Sequence, residues 1–168
     1  MRSYRKETFL FIAFSLFFVL ADQMTKALAV LHLKPNPPVE VIPGFFQLCY
    51  VENRGAAWGM MQGWTYLLAG FSILTLVWLV WQVKSLFFPF RAGWFIAASL
   101  TGGIVGNLID RLVRGRVIDF LDFYWGSAHF PAFNVADSCI CVGVGLLLLA
   151  QILAGGRRQP PHPCESGN

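Results

Sequence analysis

Four long apolar stretches constrain the fold of this chain more than any other feature. They cover residues 9–31, 64–83, 92–109 and 138–154. Each is close to the roughly 20 residues that a helix needs to cross about 30 Å of hydrocarbon. Hydrophobic residues make up 56% of the sequence and charged residues 13%, against roughly 45–50% and about 25% in soluble domains. The sequence therefore predicts an α-helical membrane protein with four transmembrane helices.

The first stretch has a second interpretation. Residues 9–21 form an apolar run after a basic start, which is also the pattern of a secretory signal peptide. Because apolar residues resume at 27–31, the whole stretch is long enough to span. We therefore expect a transmembrane helix, with Asp22 and Lys26 toward its far end.

The basic residues predict how the helices cross the membrane. An even number of helices places both termini on one side. Seven of the thirteen Lys and Arg lie before the first helix, in the loop 84–91 and after residue 154, where the only acids are Glu7 and Glu165. By the positive-inside rule both termini are cytoplasmic. We expect one integral-membrane domain over residues 1–154, and a disordered cytoplasmic tail over 155–168.

The segment between the first two helices has the pattern of strands. Its sequence VEVIPGFFQLCYV alternates loosely and is rich in β-branched and aromatic residues, with Pro43 and Gly44 as a turn. We therefore expect a small β-structured module over about residues 36–59, on the extracytoplasmic side.

Composition and spacing exclude several kinds of chemistry. The net charge of +4 comes from Lys and Arg that flank apolar stretches, so no nucleic-acid partner is expected. The four Cys and three His lack the spacing of metal ligands, so we expect neither a metal nor another cofactor. No Ser or Cys has a plausible base nearby in the sequence, which disfavours a Ser or Cys nucleophile.

Carboxylates gather beside the apolar stretches. Asp110, Asp119 and Asp122 lie within GNLIDRLVRGRVIDFLDF, and Asp137 precedes the last stretch. An Asp near the bilayer centre costs about 2.5–3.5 kcal/mol on insertion scales, so a group of them needs pairing, hydration or a use. The predicted topology places Asp110, Asp119 and Asp137 near the outer membrane face, together with Asp22 and Asn53.

Each carboxylate also has a structural interpretation. Asp110 could pair with the adjacent Arg111 or bond to a helix end, and Asp122 could be a solvated charge. Asp137 could cap the last helix, unless Asn134 takes that position. Asp119 has no adjacent base, and an isolated acid in an apolar setting should have a raised pKa.

A pair of Asp side chains would suit hydrolysis. Two adjacent carboxyl groups cannot both ionise cheaply, so they share a proton. The ionised group then draws a proton from water, while the protonated group donates to the scissile carbonyl oxygen. The residues alone therefore predict an outward-facing carboxylate site in a membrane protein.

Two other functions fit a membrane protein with these acids. A proton- or ion-coupled transporter is one, because acids in transmembrane helices often mark ion pathways. The acids here cluster at one face, and no internal repeat is evident. A membrane scaffold that binds a partner through its polar loops is the other, and in it Asp119→Asn would leave function intact.

Four motifs carry a resemblance to a known family. They are DQMTK at 22–26, ENRGAAWG at 52–59, TGGIVGNLIDRLVRGRVIDF at 101–120 and FPAFNVAD at 130–137. Their order and spacing closely resemble the lipoprotein signal peptidases (signal peptidase II) of bacteria, over about residues 8–154.

The resemblance implies an aspartic endopeptidase of the bacterial inner (cytoplasmic) membrane, inhibited by globomycin. Such an enzyme removes the signal peptide of a prolipoprotein by cutting just before a Cys that carries a diacylglyceryl group, with its active site at the extracytoplasmic face among membrane lipids. The implied catalytic pair is Asp119 and Asp137. The positions implied to support the site or contact substrate are Asp22, Lys26, Asn53, Gly55, Gly103, Asn107, Asp110, Arg111 and Asn134.

Overall fold

The chain forms four long helices and a small antiparallel sheet. In this computed structural model the described residues are 4–56, 60–88, 90 and 92–155. The helices are α1 (Tyr4–His32), α2 (Thr65–Gln82), α3 (Gly93–Val113) and α4 (Val135–Gly155). A π-helical turn, Val83–Phe87, continues α2. All four helices are long and apolar enough to cross a membrane, as the sequence predicts.

Helix α3 is the centre of the bundle and packs against α1, α2 and α4. Most of its apolar stretch is buried inside the protein, whereas almost all of that of α1 is not. Large apolar side chains on the outer helices are exposed, such as Leu74 at 67% and Ile152 at 71%. A soluble protein rarely exposes so much apolar surface, whereas a bilayer accommodates it.

The sheet is assembled from two separate parts of the chain. Strands β1 (Val39–Ile42) and β2 (Phe46–Asn53) follow α1, while β3 (Val117–Trp125) and β4 (Ala128–His129) follow α3. The strand order is β1-β2-β3-β4, with antiparallel pairing throughout. The expected module between the first two helices is thus only half of the sheet.

The turn between β1 and β2 lies where the sequence predicts it. Gly44 has a φ of +75°, a conformation that glycine adopts without the steric cost borne by other residues. Strand β3 was not predicted. Its sequence VIDFLDFYW is nevertheless rich in the β-branched and aromatic residues that favour strands.

Connectivity places the sheet at one end of the bundle. The strands join the C-terminal ends of α1 and α3 to the N-terminal ends of α2 and α4. Helices α3 and α4 extend further toward this end than predicted. Helix α3 continues to Val113 and therefore includes Asp110, while α4 begins at Val135 and holds Asp137 in its first turn.

Two segments for which the sequence made predictions are not among the described residues. Residues 57–59, within the second motif, lie outside the described residues, as do residues 156–168 of the predicted tail. Gly155 is the last residue of α4.

Candidate active site

Asp119 lies on β3, opposite Val51 of β2, and is 2% exposed. Its carboxylate accepts hydrogen bonds from Asn134 Nδ2 at 2.7 Å and from Asn53 Nδ2 at 3.0 Å. The amide of Asn53 is itself oriented, because its oxygen accepts the backbone N–H of Gly55 at 2.9 Å. Two amides from distant segments thus hold the Asp119 carboxylate in one orientation.

Asp137 is held in a similar way from the first turn of α4. Its carboxylate accepts bonds from Asn107 Nδ2 at 2.7 Å and from the backbone N–H of Asn134 at 3.2 Å. The side-chain oxygen of Asn134 in turn accepts the N–H of Asp137 at 3.0 Å. This reciprocal arrangement is that of a capping box. Asn134 and Asp137 both cap α4, and one oxygen of Asp137 still bonds outside the cap.

Asn134 joins the two carboxylates, because its side-chain amide bonds to Asp119 while its backbone N–H bonds to Asp137. Both carboxylates also line one cavity of about 810 Å³. The walls of the cavity consist of both polar and apolar residues. Residues on these walls include Val51, Asn53, Gly55, Ala56, Asn107, Arg111, Val117, Pro131, Ala132 and Phe133.

The surroundings of Asp119 raise the pKa of its carboxyl group. Burial, and next the charge of Asp137, raise the pKa of Asp119 from 3.8 to about 6, although the bonds from Asn53 and Asn134 oppose the shift. The raised pKa agrees with the expectation from the sequence. It is typical of a carboxyl group that exchanges a proton near neutral pH.

A buried ionic cluster lies behind the two carboxylates and consists of Asp22, Lys26 and Asp110, all fully buried. Lys26 Nζ lies 2.8 Å from Asp22, 3.0 Å from Asp110 and 2.9 Å from the side-chain oxygen of Asn107. The side chain of Asn107 connects this ammonium group to Asp137, because its oxygen accepts from Lys26 and its nitrogen donates to Asp137.

The cluster also fixes backbone on either side of the cavity. Asp22 accepts the N–H of Ala136 at 2.9 Å, and Asp110 accepts the N–H of Ile118 at 3.2 Å. Ala136 precedes Asp137, and Ile118 precedes Asp119. The buried ionic cluster therefore positions both segments that carry the paired carboxylates.

Two residues of this cluster's surroundings are absent from the sequence prediction. Gln23 Nε2 donates to Asp22 at 3.1 Å, and Arg114 donates to Gln23 Oε1 at 3.0 Å. Arg114 also forms an ion pair with Asp110, one helical turn away. The partners of Asp110 are thus Lys26 and Arg114, in place of the adjacent Arg111. The i,i+4 spacing of Asp110 and Arg114 was the available signal.

The two remaining predicted positions lie on α3. A Cβ on Gly103 would be 2.4 Å from the backbone oxygen of Ala136, so the glycine permits close contact of α3 with the start of α4. Arg111 lines the cavity, and its Nη1 lies 3.4 Å from the backbone oxygen of Asn107. All eleven predicted positions thus lie in or directly around one site.

Asp122 differs from the solvated charge that the sequence suggested. It is buried, accepts a bond of 2.6 Å from Gln47 and lies 2.9 Å from His129 Nδ1. All three belong to the sheet, and Asp122 and His129 line the same cavity. Nearby, burial followed by the charges of Asp122 and Asp119 raises the pKa of Cys49 to about 11. Its thiol therefore stays protonated and is a poor nucleophile.

Comparison with known proteins identifies the family. A family model described as Signal peptidase (SPase) II matches residues 14–153. The chain belongs to the signal peptidase II family. It is a multi-pass membrane protein of a family of peptidases, and the resemblance seen in the four sequence motifs is confirmed.

Individual signal peptidase II relatives match most of the chain. A lipoprotein signal peptidase of Syntrophotalea carbinolica is 48% identical over 145 residues, covering 84% of this chain and 89% of the relative. One from Symbiobacterium thermophilum is 43% identical over 138 residues, covering 80% and 89%.

Two solved structures, each described as a bacterial membrane enzyme obtained by the in meso method, share the fold. The one at 2.3 Å resolution has a TM-score of 0.75 at 31% identity and covers 90% of this chain and 92% of its own. The one at 1.9 Å has a TM-score of 0.68 at 34% identity and covers 89% and 94%.

Proposed function

We propose that this protein is an aspartic endopeptidase that removes the signal peptide from diacylglyceryl-modified prolipoproteins, cutting just before the lipidated Cys. One observation carries the proposal. Asp119 and Asp137, from β3 and α4, are joined through Asn134 and line the same cavity. The names of the relatives, lipoprotein signal peptidases, support the choice of substrate.

In the proposed reaction the two carboxyl groups share one proton. The ionised group removes a proton from water, and the resulting hydroxide attacks the scissile carbonyl carbon. The protonated group donates to the carbonyl oxygen, and the C–N bond then breaks as the leaving nitrogen takes up a proton. The raised pKa of Asp119, about 6, supports its carrying the shared proton at mildly acidic pH and exchanging it with water near neutral pH.

The surroundings of the pair have separate roles in this proposal. Asn53, Asn107 and Asn134 orient the carboxylates through the amide bonds described above. The amide N–H groups of Asn53 and Asn134 lower the pKa of Asp119, while burial raises it. Asp22, Lys26 and Asp110 are positioning residues behind them, with Gly55 and Gly103 permitting the close backbone contacts. Arg111, on the cavity wall, is proposed to contact substrate.

The location of the cavity suits a lipidated substrate. It lies where the sheet meets the ends of the helices, so a peptide could reach it while its acyl chains remain among membrane lipids. The distribution of Lys and Arg supports cytoplasmic termini, and hence a cavity at the extracytoplasmic face of a bacterial inner membrane. We propose globomycin as an inhibitor that occupies the same cavity. No cofactor is required by these steps.

The proposal is tested by cleavage of a diacylglyceryl-modified prolipoprotein by purified protein in detergent. Wild type should cut before the lipidated Cys, and globomycin should block the cut. Asp119→Asn and Asp137→Asn should each lose roughly 10²–10⁴-fold in rate, the contribution that acid–base catalysis by a positioned group makes.

Glu40→Gln is the matched control, since it makes the same carboxylate-to-amide change on β1, where Glu40 accepts a bond from Tyr124. It should cut normally. Folded Asp119→Asn or Asp137→Asn protein that still cuts would exclude the pair as the catalytic acids. Ion flux in proteoliposomes that depends on Asp119, with no cleavage by wild type, would instead indicate a transporter.

A further inference from the structure

A second cleft, separate from the cavity of the paired carboxylates, lies at the same end of the bundle. It has a volume of about 300 Å³ and is lined by Arg54, Arg114 and Arg116 together with Thr65 and Tyr66. It lies between the start of α2 and the connection from α3 to β3. Three arginines therefore meet in one small cleft of a chain that has few charged residues.

The three guanidinium groups are incompletely paired. Arg114 uses Nη1 for both of its bonds, to Asp110 and to Gln23. Arg116 Nε lies 3.2 Å from Glu52 but makes no aligned hydrogen bond. Among the described residues, the guanidinium of Arg54 has no ion-pair partner, and only its backbone oxygen is bonded, by the Thr65 hydroxyl at 2.8 Å.

Free donors and a positive charge remain after these contacts. A guanidinium has five N–H donors, so each arginine keeps several for a ligand. The three arginines have only two acidic partners, Asp110 and Glu52. Asp110 also forms an ion pair with Lys26, so a net positive charge remains. Among the described residues that line the cleft, none is acidic. Converging guanidinium groups with free donors match the oxygens of a phosphate, which arginine binds in a bidentate manner.

The surroundings favour a phosphate that belongs to a membrane lipid. Trp64 and Tyr66, at the start of α2, are 59% and 72% exposed. Exposed Trp and Tyr at helix ends are typical of the membrane–water interface, at the depth of lipid headgroups. We propose that this arginine cleft binds the phosphodiester headgroup of an anionic phospholipid. The proposal does not rest on the peptidase reaction proposed above, although Arg114 also contacts Asp110.

Native mass spectrometry of the full chain in detergent, titrated with phosphatidylglycerol, tests the proposal. The test variant is Arg54→Gln/Arg116→Gln, which leaves Arg114 and its bond to Asp110 in place. The matched control is Lys6→Gln/Lys84→Gln, which removes the same charge at the other end of the bundle. The test variant should bind phosphatidylglycerol at least fivefold more weakly than wild type, and the control should bind as wild type does.

Further arms separate the possible ligands. Arg54→Gln alone should weaken binding at least twofold while its melting temperature stays unchanged, since this exposed side chain has no ion-pair partner among the described residues. Phosphatidylcholine should bind more weakly than phosphatidylglycerol. Equal binding by the test variant and the control would overturn the proposal. Displacement of phosphatidylglycerol by inorganic phosphate at equal concentration would overturn the lipid assignment and indicate a small-anion site.

Discussion

At the scale of single residues, the burial of the Asp119 carboxyl group in the candidate site lowers the stability of the folded protein. Its pKa is about 6 in the folded protein and near 3.9 in an unfolded chain. Between these values the folded state binds more protons than the unfolded state, so stability falls as pH rises through this window. A shift of about two units corresponds to roughly 2–3 kcal/mol, lost by pH 7.

Asp119→Asn should therefore change how stability depends on pH. The variant has no charge to bury, so its melting temperature relative to wild type should rise between pH 4.5 and pH 7.5. Thermal unfolding in detergent across this range measures the difference and cancels groups that titrate in both proteins. A difference that is constant with pH would contradict the burial of a titrating Asp119.

Lys26 is the residue whose loss should be most damaging to folding. It is fully buried against Asp22 and Asp110, and breaking a buried pair by removing one partner costs roughly 3–5 kcal/mol. Lys26→Met should therefore reduce the yield of folded protein or lower its melting temperature by several degrees.

Lys34→Met is the control for that experiment. Lys34 pairs with Glu52 at 3.5 Å, but its side chain is 51% exposed, and exposed pairs contribute roughly 0–1 kcal/mol. Its melting temperature should stay within about a degree of wild type. Equal losses in the two variants would show that the buried ionic cluster has no special weight.

At the scale of elements, the contact of α3 with α4 sets the position of Asp137. A Cβ at residue 103 would meet backbone at Ala136, so Gly103→Ala must displace the start of α4. Activity should fall at least tenfold with only a modest loss of melting temperature. Gly145→Ala is the control, because no atom lies within 4 Å of its added Cβ. Full activity in Gly103→Ala would contradict this role.

The elements were predictable to different degrees. The helices follow from length and hydropathy, and the turn at Pro43 and Gly44 from its residues. Strand β3 was missed because VIDFLDFYW directly follows a transmembrane helix and pairs with β2, a partner distant in sequence. Helix ends were missed by a few residues because Asp110 and Asp137 break the apolar pattern, although buried partners keep them inside the helices.

At the scale of the molecule, the candidate site was predicted mainly by the motifs and less by local chemistry. The four motifs identify the positions, but their contacts depend on tertiary structure. The bonds of Asn134 to Asp119 and of Lys26 to Asn107 join segments that no periodicity relates. Gln23 and Arg114 lie within two of the motifs, but the sequence assigned them no role because their contacts with Asp22 and Asp110 appear only in the folded chain. The burial of Asp122 likewise depends on the pairing of β2 with β3.

The proposed orientation makes a prediction for the whole molecule. In a variant lacking the native cysteines, Glu40→Cys on the sheet should react with a membrane-impermeant thiol reagent added outside spheroplasts. Lys84→Cys, at the other end of the bundle, should react only after the membrane is broken. The reverse pattern would place the sheet in the cytoplasm.

The buried ionic cluster also has a consequence for the order in which the protein is made. Helix α1 is synthesised and can enter the membrane before α3 exists, when Asp110 and Asn107 cannot yet contact Lys26. The ion pair of Asp22 and Lys26 lies within α1, one turn apart at 2.8 Å, so the two charges can neutralise each other locally during that interval. Helix α1 thus contains its own counter-ion during insertion, and Lys26 keeps that contact and gains those with Asp110 and Asn107 once α3 is in place.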